Sequence, residues 1–163
     1  MSKPELKIVA AEPKPEIRAV LVPAGLLAHA WPIILPGVRE CLDQTRGEQT
    51  EESVRARMAS GEAQAILFLA GGKLVGFAVI QIADPLPGRP ELRLCMLWRD
   101  PTARDVDRPA VMGHIDGVAR MHGCKAIVCG SARKADRAGK EFEAVMSEFG
   151  YRPSYVTYVK ELT

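Results

Sequence analysis

The sequence lacks a long hydrophobic run and an excess of charge of either sign. No apolar stretch approaches the roughly 20 residues that a membrane-spanning helix needs, and the N-terminus has no hydrophobic signal core. We therefore expect a cytoplasmic protein without membrane contact. The 22 basic and 20 acidic residues leave a net charge of +2, which argues against a dedicated nucleic-acid binder. Any contact with a nucleic-acid backbone would be local.

The sequence also lacks closely spaced metal-binding residues. The four cysteines form no C-x-x-C pair and have no histidine at zinc spacing, so we interpret them as reduced core thiols. His114 and His122 share one predicted helix but are too far apart for an i, i+4 ligand pair. We predict no metal site.

The length of 163 residues suits one domain with its own hydrophobic core. Residues 1–16 contain three prolines among charged residues, which predicts an extended N-terminal arm. Residues 17–163 then form a single domain, which begins with a predicted strand at Ile17–Val22.

Two helical segments are predicted after this strand. Apolar residues recur at near-helical spacing from Leu26 to Asp43, but Pro32 and Pro36 interrupt them, which predicts a broken helical segment. Thr50 resembles an N-cap before two acidic residues, and it predicts a second helix over residues 50–60.

The middle of the chain predicts strands with one crossover helix. Two strand patterns, 65–69 and 74–82, are joined through Gly71-Gly72, which suits a primed hairpin turn. The strand near 92–98, a helix and the strand 126–129 form a β-α-β unit, so the two strands are predicted to be parallel. A helix over 138–149 and a closing strand over 155–160 complete the chain. The fold class is therefore α+β, with a mixed, mostly antiparallel sheet, helices on both faces and one parallel crossover.

Two local motifs in this order of elements resemble the GNAT family of N-acetyltransferases. Val111–Gly123 carries two apolar residues and then an alanine four before glycine, and Glu148–Tyr151 has a hydrophobic-Gly-aromatic ending. The resemblance implies a GNAT-like domain over 17–163. Within the family, the chain is most similar to divergent small phage-encoded proteins, through the loose motifs Ala30-Trp31-Pro32, Thr50-Glu51-Glu52, Gly61, Gly150-Tyr151 and Lys160.

The loop before the crossover helix departs from the motif that the family uses to bind its cofactor. Active GNAT enzymes carry R/Q-x-x-G-x-G/A there, and the glycines let backbone N–H groups reach the pyrophosphate of acetyl-CoA. Here the motif positions fall on Ala103, Val106 and Arg108, and none matches. Asp105 and Asp107 would repel a pyrophosphate, and Asp107 is better interpreted as a helix cap. We expect no cofactor; under the alternative of an active enzyme, Arg104 and Arg108 would bind acetyl-CoA.

The positions that the family uses for chemistry are also altered. The tyrosine that protonates the leaving thiolate corresponds to Met146, whose thioether cannot donate a proton. The asparagine near the start of that helix corresponds to Gly139. Glu91 begins the fourth strand, where family members often place the carboxylate that deprotonates the amine. Glu91 is therefore the catalytic candidate if the protein is an enzyme, although a solvated acid at a strand edge needs no function.

Basic residues follow the C-terminal ends of the two parallel strands, where α/β sheets bind ligands. They are Arg99, Arg104, Arg108, Arg133, Lys134, Arg137 and Lys140. Such a surface could hold the phosphates of coenzyme A, a nucleic-acid backbone or an acidic face of another protein, or it could be ordinary solvated surface. For a protein partner, the candidate contacts are Arg99, Arg133, Lys134 and Arg137.

The arm adds an apolar candidate surface made of Leu6, Ile8 and Val9. Ordering such a segment costs about 1 to 2 kcal/mol per residue, so these side chains must be buried if the arm is ordered. We expect burial against a neighbouring protein subunit, such as a phage structural protein or another copy of the chain.

Two function hypotheses remain. The first is a GNAT-fold protein with a degenerate acetyl-CoA site that acts as a non-catalytic binding or structural component of a phage virion or its assembly, in the cytoplasm of a bacterial host or within the particle. The alternative is an acetyl-CoA-dependent N-acetyltransferase with a divergent pyrophosphate loop. The first hypothesis is favoured, because it does not require the loop before the crossover helix to bind a pyrophosphate.

Overall fold

The computed structural model describes residues 14–45, 47, 49–104, 106–129 and 144–152. Its strands and helices follow the order β1 (Ile17–Val22), α1 (Leu27–Asp43), α2 (Glu51–Ala59), β2 (Gln64–Ala70), β3 (Lys73–Ala83), β4 (Glu91–Arg99), α3 (Arg108–Met121) and β5 (Ala126–Cys129). Residues 144–148 are also helical. No helix within these ranges has the length and apolar character needed to cross a membrane.

The strands form one sheet in the order β1-β2-β3-β4-β5. Neighbouring strands are antiparallel except for β4 and β5, which are parallel and are connected through α3. Gly71 and Gly72 have φ angles of 56° and 79° at the β2–β3 turn, as the hairpin interpretation requires. The predicted α+β fold, with one parallel crossover in a mostly antiparallel sheet, is confirmed.

Helices cover both faces of the sheet and enclose two cores. The α1 core lies between the sheet and the first two helices, and its buried side chains include Trp31, Ile34, Val38, Val54, Met58 and Phe77. The α3 core lies on the opposite face, and its buried side chains include Ile66, Ile80, Leu92, Met112, Ile115 and Met146. Alternate residues of the central strands therefore enter different cores, as the strand period of two requires.

The prediction of a broken first helix is wrong, because α1 is continuous from Leu27 to Asp43 with Pro32 and Pro36 inside it. Both prolines are exposed, so the carbonyl groups that lose an intrahelical partner point to the side where water is available. The opposite side buries Trp31, Ile34 and Val38 in the α1 core. This burial contributes about 1.5 to 3 kcal/mol for each large side chain and offsets the cost of the prolines.

The start of α2 agrees with its predicted cap. The Thr50 hydroxyl accepts from the Ser53 N–H at 3.2 Å, and the Ser53 hydroxyl accepts from the Thr50 N–H at 3.0 Å. This reciprocal capping box satisfies two N–H groups at the helix terminus. Val54 and Met58 then face the α1 core, which leaves Arg57 on the flank of the helix toward the sheet.

Several predicted features lie outside the described residues. They are residues 1–13 of the arm, the first part of the helix predicted over 138–149, and the strand predicted over 155–160. Residues 14–16 are exposed and have no regular structure.

Candidate functional site

In the described part of the chain, β4 extends well beyond its pairing with β5. The four residues of β5 pair in parallel with Glu91–Leu94. β4 continues to Arg99, and after Leu94 the described residues provide no strand on that side. Because α/β proteins bind ligands beyond the carboxyl ends of parallel strands, this edge of β4 is a candidate binding site.

A β-bulge interrupts β4 where the pairing with β5 ends. In the register with β3, Leu94 faces Ile80 and Met96 faces Val79, so Cys95 is the extra residue. Leu94 packs in the α3 core, whereas Met96, two positions further on, packs in the α1 core. Residues two apart on a regular strand share a face. The extra residue of the bulge therefore places Leu94 and Met96 on opposite faces of the sheet.

Arg57 of α2 connects three elements at this bulge. Its Nε donates to Glu62 Oε1 at 2.9 Å, and one terminal nitrogen donates to Gln81 Oε1 at 3.1 Å and to Cys95 Sγ at 4.0 Å. Gln81 Nε2 also donates to Glu62 Oε1, at 3.3 Å. The guanidinium group therefore holds together α2, the turn after it, β3 and the bulge of β4.

Arg93 lies directly opposite Gln81 in the register of β3 and β4. Such cross-strand side chains share a face, with Cβ atoms about 5 Å apart. Arg93 Nε donates to Glu91 Oε1 at 2.9 Å, and its terminal nitrogens make no hydrogen bond to the described residues. We call the set Arg57, Glu62, Gln81, Arg93 and Cys95 the bulge cluster.

Burial determines the protonation state of the Cys95 thiol in the bulge cluster. Burial raises the pKa of Cys95, while the positive charges of Arg57 and Arg93 oppose that increase. The thiol is therefore protonated at neutral pH and is not an activated nucleophile. Burial is the largest single influence on the pKa of Arg57 and acts to lower it, but the hydrogen bond to Glu62 and the smaller contributions of Glu62 and Cys95 together outweigh it, and the pKa is raised.

The crevice between α2 and the sheet, beside Arg57 and Cys95, is too small for a substrate. It has a volume of about 10 Å³ and is lined in part by Arg57, Cys95 and Met96. This volume holds about one water molecule. By contrast, the side chains of Arg93 and Glu62 are 45% and 50% exposed. A ligand of the cluster would therefore bind over its exposed side.

Aspartates close the loop between β4 and α3. Asp100 Oδ1 accepts from the N–H and the hydroxyl of Thr102 at 2.8 and 2.7 Å, and these hydrogen bonds hold the pKa of Asp100 below its usual value. Asp107 caps α3 by accepting from the Ala110 N–H at 3.2 Å, and Pro109 has no N–H to offer. The predicted role of Asp107 as a helix cap is confirmed, and the helix terminus has few N–H groups left for an anion.

Three arginines lie at or after the end of β4 and remain available. Arg99, Arg104 and Arg108 are exposed, and none of them has a side-chain hydrogen bond or ion pair with the described residues. Guanidinium groups bind phosphate in a bidentate manner. The loop can therefore bind an anion through side chains even though the start of α3 has few backbone donors left.

No protein-family model matches this chain, and no curated protein matches it either. Solved structures do match. A ribosomal-protein-alanine N-acetyltransferase from Brucella melitensis aligns with a TM-score of 0.66 and 14% identity, over 91% of this chain and 100% of that chain. A putative acetyl transferase from Pyrococcus furiosus aligns with a TM-score of 0.61 and 18% identity, over 90% and 100%. An aminoglycoside N-acetyltransferase in complex with CoA aligns with a TM-score of 0.61 and 12% identity, over 93% and 99%. The chain has a GNAT-like fold.

The GNAT-like fold confirms the architecture that the sequence resemblance implies. At these low identities, the similarity concerns the fold alone. The expected similarity to phage-encoded proteins gains no support from these structures, and neither does a role as a virion component.

The GNAT-like fold does not bring the predicted catalytic and cofactor-binding residues together. Glu91 begins the nine-residue strand β4, roughly 26 Å from Arg99 at about 3.3 Å per residue, whereas Arg104 and Arg108 follow its end. The Glu91 side chain is 19% exposed and is held by Arg93. Met146 is buried in the α3 core. Other predicted residues lie outside the described part of the chain: Leu6, Ile8, Val9, Arg133, Lys134, Arg137, Gly139 and Lys140.

Sequence reasoning did not find the bulge cluster. Arg57, Glu62 and Gln81 come from three separate segments of the chain and meet only in the folded sheet. Cys95, interpreted from the sequence as a core thiol, is partly buried, and nothing in the sequence marks it as the bulge residue. The single available signal is Arg93, a charged residue between two buried leucines.

Proposed function

We propose that this protein is an acetyl-CoA-dependent N-acetyltransferase. The observation that carries the proposal is the edge of β4, which runs from the bulge at Cys95 to the three available arginines after its end. Among the described residues, no strand pairs with this edge beyond Leu94, which leaves it accessible to an extended ligand, with anion-binding groups at one end and a polar cluster at the other. A similar fold in complex with CoA adds support.

The loop accommodates the cofactor through side chains rather than through a backbone cradle. Asp107 and Pro109 leave the N-terminus of α3 poor in free donors. Arg104 and Arg108 would instead hold the phosphate groups. The attraction of two guanidinium groups for the phosphates would exceed the repulsion from the carboxylate of Asp107, which is on the order of a kcal/mol at surface dielectric.

The acetyl group would lie near the bulge, beside the exposed side of the cluster. Acetyl-CoA, when bound, supplies an acetyl group whose bond to sulfur breaks as the acceptor nitrogen bonds to the acetyl carbon, with one ammonium proton ending on the sulfur and another in water. Arg57 keeps the bulge in place through its contacts with Gln81 and Cys95. Glu91 remains the catalytic residue predicted from the sequence, but its carboxylate holds Arg93 in this structure.

A non-catalytic binding protein is the second candidate. The carboxylate of Asp107 occupies the helix terminus where active family members are expected to bind the pyrophosphate. Met146 also provides no proton at the position of the family's tyrosine. A protein of this kind would keep the fold and bind a partner through the same arginines.

Titration with acetyl-CoA distinguishes the two candidates. We expect saturable heat with a micromolar Kd, and thermal stabilisation of roughly 2.7 kcal/mol at a hundred times that concentration. The double substitution Arg104→Ala and Arg108→Ala should weaken binding at least tenfold, because each guanidinium group pairs with phosphate. Arg18→Ala, on the far edge strand β1, is the matched control and should bind normally. The absence of saturable heat at millimolar acetyl-CoA would contradict the proposal and favour the second candidate.

A further inference from the structure

We propose that the acceptor is a small zwitterionic amine of the free amino-acid type, with its ammonium group at Glu62 and its carboxylate at Arg93. This inference rests on the proposed acetyltransferase function, because it names the substrate of that site. It assigns the two residues as determinants of acceptor specificity.

Glu62 has one carboxylate oxygen available. Its Oε1 accepts from Arg57 and from Gln81, whereas Oε2 accepts no hydrogen bond from the described residues. The two donors fix the orientation of the carboxylate, and half of the side chain is exposed. A fixed and accessible carboxylate oxygen is a good acceptor for an ammonium group.

Arg93 provides the opposite charge on the same face. Glu91 engages only Nε, so the terminal nitrogens are available for a planar carboxylate. Gln81 lies opposite Arg93 in the sheet and donates to Glu62, so one side chain separates the two free groups. The Cβ atoms of Arg93 and Gln81 are about 5 Å apart, and Gln81 contacts Glu62, so this arrangement favours a small ligand whose two charges are only a few bonds apart.

The balance of charge argues against a polycationic acceptor. The bulge cluster and Glu91 together contain two arginines and two glutamates, so their formal charges cancel. An aminoglycoside carries several ammonium groups, and a cluster without net negative charge offers them no overall attraction. A ligand that carries one charge of each sign meets a complementary group for each charge.

Acetylation assays with matched acceptors test the inference. The purified full chain is incubated with acetyl-CoA and an equimolar mixture of the common L-amino acids, and N-acetyl products are identified by mass spectrometry. The best amino acid is then compared with its methyl ester, which keeps the amine and lacks the carboxylate, and with an aminoglycoside. We expect a KM at least tenfold higher for the ester and no acetylation of the aminoglycoside. Equal use of acid and ester, or preference for the aminoglycoside, would overturn the proposal.

Thermal shifts measured without acetyl-CoA provide a second readout. The amino-acid mixture at millimolar concentration should raise the Tm of the wild type, and the mixture of methyl esters should raise it less. Arg93→Gln should abolish the difference between acids and esters, whereas Glu62→Gln should abolish both shifts. The matched controls are Arg120→Gln and Glu52→Gln, which change exposed residues outside the cluster and should behave like the wild type. Loss of the acid preference in a control, or its retention in Arg93→Gln, would contradict the assignment.

These outcomes separate the two proposals. A protein that responds to free amino acids but gives no heat with acetyl-CoA would retain the acceptor site and contradict the acetyltransferase function. A protein that binds acetyl-CoA but shows no preference for free amino acids would retain the function and contradict the acceptor class.

Discussion

At the scale of single residues, Gly37 determines how closely α1 approaches the sheet. A Cβ atom there would lie 2.5 Å from the ring of Trp98 and 2.6 Å from the ring of Phe77. These two rings stack with their centroids 5.4 Å apart, and Trp98 Nε1 donates to Glu40 of α1 at 2.8 Å. The missing side chain therefore lets the helix contact the aromatic pair that follows the bulge.

Gly37→Ala should destabilise the protein despite the better helix propensity of alanine. Alanine gains about 1 kcal/mol in an open helix, but overpacking against rigid rings costs about 1 to 3 kcal/mol. Urea unfolding should show a lower midpoint with an unchanged slope. Gly113→Ala in α3 is the control, because a Cβ atom there meets nothing within 4 Å, and it should be stabilising. A Gly37→Ala variant as stable as Gly113→Ala would mean that α1 moves away from the rings freely.

At the scale of elements, local signals predicted most of the fold. The hairpin follows from two adjacent glycines, and α2 follows from its cap, because the interactions that define them lie within a few residues. α1 could not be predicted as continuous, since the burial that offsets its two prolines depends on a sheet that forms later in the chain. The bulge at Cys95 also depends on the register with β3, and the bulge cluster depends on the bulge.

At the start of α3, we expect helix stability and cofactor binding to oppose each other. Asp107→Ala removes the cap and should destabilise the protein by about 1 kcal/mol. The same substitution removes a negative charge beside Arg104 and Arg108 and should tighten acetyl-CoA binding by about fivefold, which corresponds to about 1 kcal/mol at surface dielectric. Chemical denaturation and calorimetry measure the two effects separately.

Asp107→Asn is the matched variant for this prediction, because asparagine caps a helix about as well as aspartate. It should keep the stability of the wild type while binding acetyl-CoA more tightly. If either variant binds the cofactor more weakly, Asp107 contributes to the cofactor-binding site. The prediction that its carboxylate repels the cofactor phosphates would then be wrong.

At the scale of the whole molecule, the sheet separates two cores, and the candidate site lies along the edge where the parallel pairing of β4 and β5 ends in the described part of the chain. The sequence predicts the arginines at the carboxyl end of β4, because Arg99, Arg104 and Arg108 lie from the end of that strand to the start of the crossover helix. The order of elements does not predict which side chains surround the bulge of β4, because Arg57 comes from α2 and Glu62 from the turn that follows α2. The loop that lacks the family motif is thus one of two parts of the site, and the bulge cluster is the other.

The N-terminal arm makes a prediction about assembly. Within the described residues, both cores are built from Ile17 onward. Deleting residues 1–12 should therefore change the Tm of the isolated domain by less than about 2 °C, which is the shift that roughly 1 kcal/mol produces in a domain of this size. Because Leu6, Ile8 and Val9 are predicted to bind a neighbouring subunit, sedimentation velocity should show association of the full chain and a monomeric truncated chain. Replacing the three residues by serine in the full-length chain should have the same effect as the deletion. A truncation that lowers the Tm by many degrees would instead show that the arm completes the core, and the predicted contact with a neighbour would lose its physical basis.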